Sequence, residues 1–372
     1  MTIKAAASLA FALALMLPSQ AAQDANSKSQ DLVTVADASG RIGFIDENGV
    51  IVIQPRFLWA MSFYHGYGEV LVCGHHAYID RSGNLFPYHP EMKEKLYRRQ
   101  VGKKWGFADW TGEMVIPAQF EETLIEFSEG LAAVEQDGEW GYIDSTGRFV
   151  IQPQFREANY FREGLADVET EDFQELLIDR TGKALPRNYD QLKGGINEGR
   201  IPAELHGKVG YLNEKGEMII PPRYQSGWPF HEGLAAVEDN DQWGYIDREG
   251  KLVIPFQFAG AEEFSLGLAA VFLKDGRTGF IDRSGEIAFY LNFQTAMSFS
   301  SPGLSMFWTA GQKIGYVNRS GKVVWGPFKH VGSRMRRSKQ DIAESCRGIP
   351  EEMKKRVLTF PRNLQRIMQP PT

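Results

Sequence analysis

The phrase EWGYIDSTGRFVIQPQF at 139–155 returns almost unchanged as QWGYIDREGKLVIPFQF at 242–258. An Asp or Asn with Gly three residues on recurs through most of the chain. It stands at Asp46, Asp80, Asp109, Asp144, Asp179, Asn213, Asp247, Asp282 and Asn318. Successive spacings are 34, 29, 35, 35, 34, 34, 35 and 36 residues. Self-similarity at such a period marks a repeat architecture, because each unit is too small to bury its own apolar face and must stack on its neighbours.

Each full unit holds three apolar segments: LAAV, then WGYID or GFID, then VI-P. Short runs rich in Val, Ile, Tyr and Phe, split by Gly and Asp turns, read as strands. The gaps suit antiparallel connections, and a longer stretch of the form QFxxAxxFxEG leads to the next unit. The expected fold is therefore all-β: eight to nine three-stranded antiparallel meanders over 39–328, stacked as a curved solenoid. A closed propeller-like ring is the alternative.

The repeated Asp has two readings, a catalytic or metal-binding carboxylate and a turn residue. Type I turns favour Asp or Asn at their first position and Gly at their fourth. Two copies use Asn, which keeps the acceptor oxygen and drops the charge. Asp46, Asp109, Asp144, Asp247 and Asp282 are accordingly assigned to turns. The Gly of the WG pair, inside a strand, marks a bulge or a close approach. The exchangeable bulky residue before it and the alanines of LAAV point to packing between units.

These phrases, with KWGFADWTGEMVIPAQF at 104–120, resemble the WG-repeat (KWG-repeat) family. The resemblance covers 41–328 and implies a β-rich repeat protein, of a kind common in bacteria. It brings no catalytic residues with it. Copies two and five depart most from the pattern.

The ends carry other signals. MTIKAAASLAFALALMLPSQAA has one charge, Lys4, and then an apolar run. That is the layout of a bacterial secretory signal peptide over 1–21, cleaved near Ala21, followed by a polar linker over 22–38. The chain is expected to be exported, periplasmic or extracellular, with no later span. From Lys329 to Thr372 there are eleven Lys/Arg against four Asp/Glu. This basic tail is expected to hold two short helices, one capped by Ser338 and one opened by Pro350. Arg334, Arg336, Arg337 and Lys339 are its candidates for contact with an anionic surface.

No hydrolase elbow, phosphate loop, dinucleotide fingerprint or zincin motif is present. The expectation is a non-enzymatic scaffold without a cofactor, binding a protein or a cell-envelope component, with nucleic acid disfavoured. The alternative is a glycan- or peptidoglycan-binding module that uses loop aromatics. Trp59, Tyr64, Tyr67, Trp228 and Trp308 are the binding candidates because they break the repeat. Phe127, Phe161, Phe230, Phe264 and Phe299 recur and are assigned to the core. A minor alternative is metal binding through Cys73, His75 and His76, where histidines cluster without a recognised spacing. The carboxylates of EDNDQW at 238–243 lack a calcium-loop progression and are assigned to a solvated turn.

Two cysteines, Cys73 and Cys346, leave one bridge or two thiols open. At about 10 Å per sheet, an open stack separates them by about 80 Å. The 18 residues from Phe328 to Cys346 span at most about 60 Å. A bridge therefore requires strong curvature or closure.

Overall fold

The structure is a computed structural model. It describes residues 31–329, apart from 38, 64–65, 87–94, 110–112, 292–294, 301, 310 and 312, together with residues 346, 347, 349, 351 and 354 of the tail. Nine antiparallel sheets follow one another along the chain, over 33–57, 67–86, 97–120, 122–155, 157–179, 191–224, 226–258, 260–291 and 295–329. We call them units one to nine. The first begins inside the stretch expected to be a linker: Val33–Ala36 pairs with Ile42–Ile45, and Leu32 is fully buried. The first strand's alternating apolar residues outweigh the polar lead-in.

Unit four shows the pattern. Leu131–Gln136 pairs with Glu139–Asp144, which pairs with Phe149–Phe155. A fourth strand, Glu122–Thr123, precedes them and pairs with Glu135 and Val134. The expected three-stranded meander is thus extended in five units by a piece of the crossover stretch. Unit five keeps that short strand but lacks the third, leaving an isolated bridge between Ile178 and Ala184.

First and second strands join in tight hairpins. Asp137–Gly138 and His206–Gly207 have positive φ at both positions, as does Cys73–Gly74. This is the turn whose twist matches that of paired strands. Asn240–Asp241, inside EDNDQW, makes the same turn. Second and third strands join through the Asp-x-x-Gly loop. There Asp144 N donates to Arg148 O and Gly147 N to Asp144 O, and Gly147 has φ +83°.

The WG glycine serves its own unit. A Cβ on Gly141 would lie 2.6 Å from Ile151 O, and Gly43, Gly106, Gly210 and Gly244 meet the same third-strand carbonyl at 2.4–2.6 Å. Pairing shifts register at this point, between Trp140 and Tyr142. The glycine therefore lets a bulged edge strand bend over the sheet. That edge carries Pro117, Pro153, Pro222 or Pro255, which have no N–H to offer another strand.

Alanines of the first strand face both neighbours, as expected. Ala132 and Val134 pack with Phe107, Ile116 and Phe120 of unit three. Leu131 and Ala133 join Phe161, Val168 and Ile178 of unit five. Each loop Phe plugs onto an aromatic ring of the unit before it: Phe161 on Tyr142, Phe230 on Tyr211, Phe264 on Tyr245 and Phe299 on Phe280, at 4.8–5.0 Å between centroids.

The two ends of the array meet. Each turn glycine sits on a third-strand side chain of the preceding unit: Gly147 on Ile116, Gly182 on Ile151, Gly250 on Ile220, Gly285 on Ile254 and Gly321 on Phe289. Gly49 of unit one sits on Val324 of unit nine in the same way. Val33, Val35 and Ile45 share a buried cluster with Leu304, Tyr316, Val324 and Trp325. Unit one thus meets unit nine through the same kind of glycine contact that joins the other units.

The tail then crosses this seam. Cys346 is bonded to Cys73 of unit two, a sequence separation of 273, and Ile349 is buried with Phe44, Phe57 and Phe63. A straight stack is excluded. The two expected tail helices are not supported: Glu351 and Lys354 are the described residues with helical backbone. No helix among the described residues is long and apolar enough to cross a membrane.

Two outcomes follow. Gly141→Ala should destabilise the chain by roughly 1–3 kcal/mol, as an overpacked site does. Gly195→Ala, with nothing within 4 Å of its added carbon, should be near neutral in the same denaturant titration. Cys346→Ser should cost about 2–5 kcal/mol, the usual range for losing a native bridge, and reducing agent should lower the thermal midpoint of the parent and not of the variant.

Candidate functional site

Two of the repeated carboxylate families, those of the turns and of the F-x-E-G loops, accept backbone hydrogen bonds. Asp144 Oδ1 accepts from Thr146 N at 2.8 Å, Thr146 Oγ1 at 2.6 Å and Arg148 N at 3.2 Å. Asn213 Oδ1 accepts from Lys215 N and Glu217 N, both at 2.9 Å. Asp46, Asp109, Asp247 and Asp282 bond to the same loop amides. The turn assignment holds, and the Asn copies reproduce it.

The second family is the Glu of the F-x-E-G loop. Glu129 accepts from Gly164 N, Glu163 from Glu198 N and Gly199 N, Glu198 from Gly233 N, and Glu232 from Gly267 N, at 2.7–3.0 Å. Each carboxylate bonds to the equivalent loop of the next unit. Arg180 and Arg248 donate back to Glu129 O and Glu198 O of the preceding unit. These glutamates are struts between units, a role their 34–35-residue spacing could have announced.

What the crossover stretch leaves for solvent is one recurring position. Two residues before the loop Phe, the backbone is fully engaged. Trp228 N donates to Ala236 O, and Trp228 O accepts from Tyr211 Oη at 2.9 Å. Asn159 and Glu262 are held the same way, by Asp167 O and Tyr142, and by Ala270 O and Tyr245. Burial raises the hydroxyls of Tyr142, Tyr211 and Tyr245 well above the usual phenol value, so each stays a donor. Side chains from this position point outward. Met61 is 52% exposed, Ile125 53%, Trp228 47% and Met297 52%. Tyr160, one place later in the next unit, accepts from Ile125 N through its Oη at 2.9 Å.

Polar groups share this edge. His231 Nε2 lies 2.6 Å from Glu263 Oε2 and 3.0 Å from Asn197 Nδ2, linking units six, seven and eight. Its partners are thus a carboxylate and an amide. Burial, and then the neighbouring Glu263, raise the carboxyl of Glu262.

The candidates chosen from sequence divide. Trp228 lies on this edge, stacked on Trp243 at 6.3 Å. Trp59 is half-buried with its ring edge to His76. Tyr67 and Trp308 belong to first strands rather than to crossover loops. The recurring phenylalanines are core, with Phe161, Phe230, Phe264 and Phe299 at most 2% exposed and Phe127 half-buried. Met61, Ile125 and Met297 were missed, although their fixed distance from the loop Phe places them beside Trp228.

The metal reading is corrected. Cys73 is spent in a disulfide, and His76 Nδ1 lies 2.6 Å from Glu69 Oε1. Among the described residues no group of three His, Cys, Asp or Glu is placed to hold a metal ion. Tyr64, His65, His89, Arg334, Arg336, Arg337 and Lys339 lie outside the described residues.

These features define an all-β repeat array with ends in contact. The WG-containing repeat family matches at 42–72, 105–140, 140–172, 210–243, 243–276 and 279–307, more than half of the chain. The protein belongs to that family. No curated protein matches it. Among solved structures it is similar to a eukaryotic initiation factor, at 10% identity and a TM-score of 0.52, covering 79% of this chain and 94% of that one. That likeness concerns the fold alone. The computationally designed Ika8 protein matches at 11% identity and a TM-score of 0.39, covering 69% and 94%; BamB from Moraxella catarrhalis matches at 11% and 0.36, covering 62% and 87%.

The turn carboxylates predict a pH response. Hydroxyl bonds from Thr146, Thr181 and Ser284 are the largest cause holding Asp144, Asp179 and Asp282 below the usual carboxylate value. A depressed folded value means stability that is present above the unfolded value of about 3.9 and lost as pH falls through the folded one. Replacing all three by Asn keeps the acceptor and removes the titration. The variant's denaturation midpoint should fall less than the parent's between about pH 5 and pH 2.5.

Proposed function

We propose that this protein is an exported, non-enzymatic scaffold whose nine units close into a propeller-like ring and bind a protein partner along the crossover edge. The observation that carries the reading is the set of exposed apolar side chains at one repeated, rigidly held position. The amides of Met61, Trp228 and Met297 are bonded to the neighbouring strand and that of Ile125 to Tyr160 Oη, and the carbonyls of Trp228 and Met297 accept from Tyr211 and Ser305. Little ordering entropy is then left to lose on binding, which favours affinity.

This edge belongs on the axis of the ring. The crossover stretches of consecutive units touch directly there, as Ile125 does Tyr160, Glu129 does Gly164 and Glu263 does Ser298. Radially arranged sheets come closest at their inner ends. Export is supported by the disulfide, which persists in oxidising compartments. A scaffold role is supported by the two carboxylate families, whose oxygens serve turns and struts.

A glycan is the second reading, favoured by exposed Trp228 stacked on the half-buried Trp243. The two separate experimentally. The mature chain would be incubated with proteins of its native envelope and, separately, with purified peptidoglycan. A protein retained by the parent and by a Val150→Ala, Val253→Ala control, with binding at least about tenfold weaker for Ile125→Ala, Trp228→Ala, Met297→Ala, supports the proposal. Retention on peptidoglycan that Trp228→Ala abolishes would replace it with the glycan reading.

A further inference from the structure

One loop of the chain breaks a rule that the others keep. Twelve described loops share the same pair of backbone bonds, in which residue one donates to residue five and residue four donates back to residue one. In eleven of them residue four is glycine: Gly40, Gly49, Gly83, Gly147, Gly182, Gly216, Gly250, Gly276, Gly285, Gly303 and Gly321, with φ between +76° and +103°. In the twelfth it is Phe173, at φ +61°. Phe173 N donates to Thr170 O at 2.9 Å and Thr170 N to Gln174 O at 3.0 Å, so the loop is the same loop.

A left-handed backbone is an uncommon place for a bulky residue, and such strain persists where something else selects it. Folding does not select it. Gly276, in the equivalent hairpin of unit eight, makes the same turn with no side chain. Nor does the core, because Phe173 is 69% exposed, the highest value among the large apolar residues with substantial exposure. The ring is nonetheless aimed. The Arg156 guanidinium lies 4.2 Å from its centroid, and Arg156 is itself held by Glu169 and Glu157. Asp172 accepts from Thr170 Oγ1 at 2.5 Å and Gln174 Nε2 at 2.7 Å, which stiffens the tip.

We infer that Phe173 is a docking finger that enters an apolar pocket of a partner protein, and that basic residues rim this pocket. Exposed aromatic anchors held in one conformation are the side chains that dominate protein interfaces. The charge around the finger sets the partner's sign. Glu169, Glu171, Asp172 and Glu175 lie on the same two strands and their loop, and Glu157 on the short strand that pairs with Glu169, against Arg156 and the neighbouring Arg187. An anionic lipid surface, a phosphate-rich polymer or a nucleic acid would be repelled there, whereas a Lys/Arg rim would be attracted. This finger stands in a hairpin between first and second strands, so the inference does not depend on the crossover edge.

The test places a photo-crosslinking phenylalanine analogue at position 173 of the full chain in its native cells, and at position 276 as the matched control. The expected result is one protein adduct at 173 and none at 276. The crosslinked peptide should contain apolar residues flanked by Lys or Arg. Glu171→Lys with Asp172→Lys should reduce the adduct at least fivefold. Purified Phe173→Gly should at the same time melt at a higher temperature than the parent, since it relieves the left-handed strain. The inference is overturned by no adduct, by an adduct with lipid, glycan or a second copy of this chain, or by equal adducts at both positions. It is also overturned if Phe173→Gly lowers the melting temperature, because the ring would then serve folding.

Discussion

No unit in this chain is complete without the next. A three- or four-stranded sheet of this size has two apolar faces, and only neighbouring sheets can cover them. The contact that does so is repeated with little variation: a loop Phe edge-on to the preceding unit's aromatic, and a turn glycine on its branched side chain. Fully burying such side chains is worth about 1.5–3 kcal/mol each. Their number at every seam makes the seams, rather than the separate sheets, the source of stability. The Glu struts and the Arg–carbonyl bonds then fix how far each unit turns relative to the last.

The closing seam differs from the others. Eight seams are spanned by the chain itself, and one joins unit nine to unit one through packing of the described residues. Among the described residues no loop Phe plugs onto Tyr316 as Phe299 does onto Phe280. The disulfide from Cys73 to Cys346 and the buried Ile349 lie across this weak point. Covalent linkage is thus placed where chain connectivity is missing.

Much of this was legible in the sequence because it is periodic. Asp144 and Asn213 declared a turn, Phe161 and Phe230 declared a core, and LAAV declared close packing, each by recurring. Unique features were not legible. Cys73 looked like a ligand beside His75 and His76, since nothing local reveals a partner 273 residues away. Trp308 and Tyr67 looked like loop residues because the unit boundaries around them are irregular. The crossover's short strand was also hidden: two residues such as Glu122–Thr123 carry no alternating pattern. Met61 and Met297 went unnoticed because methionine at a repeated site reads as core until its exposure is known.

Each sheet here is built from one contiguous stretch of chain, and among the described residues no strand is traded between the first unit and the last. A nascent chain can therefore complete its units in order as they emerge, each docking on a finished predecessor. The exception is the final contact. Val324, Trp325 and Cys346 are the last pieces to appear, and their partners Val33, Ile45 and Cys73 are among the first. Until synthesis ends, unit one keeps an uncovered apolar face, and a truncated chain would keep it for good. The Cys73–Cys346 bond is in this sense a record of completion, formed by a molecule that has reached its own beginning.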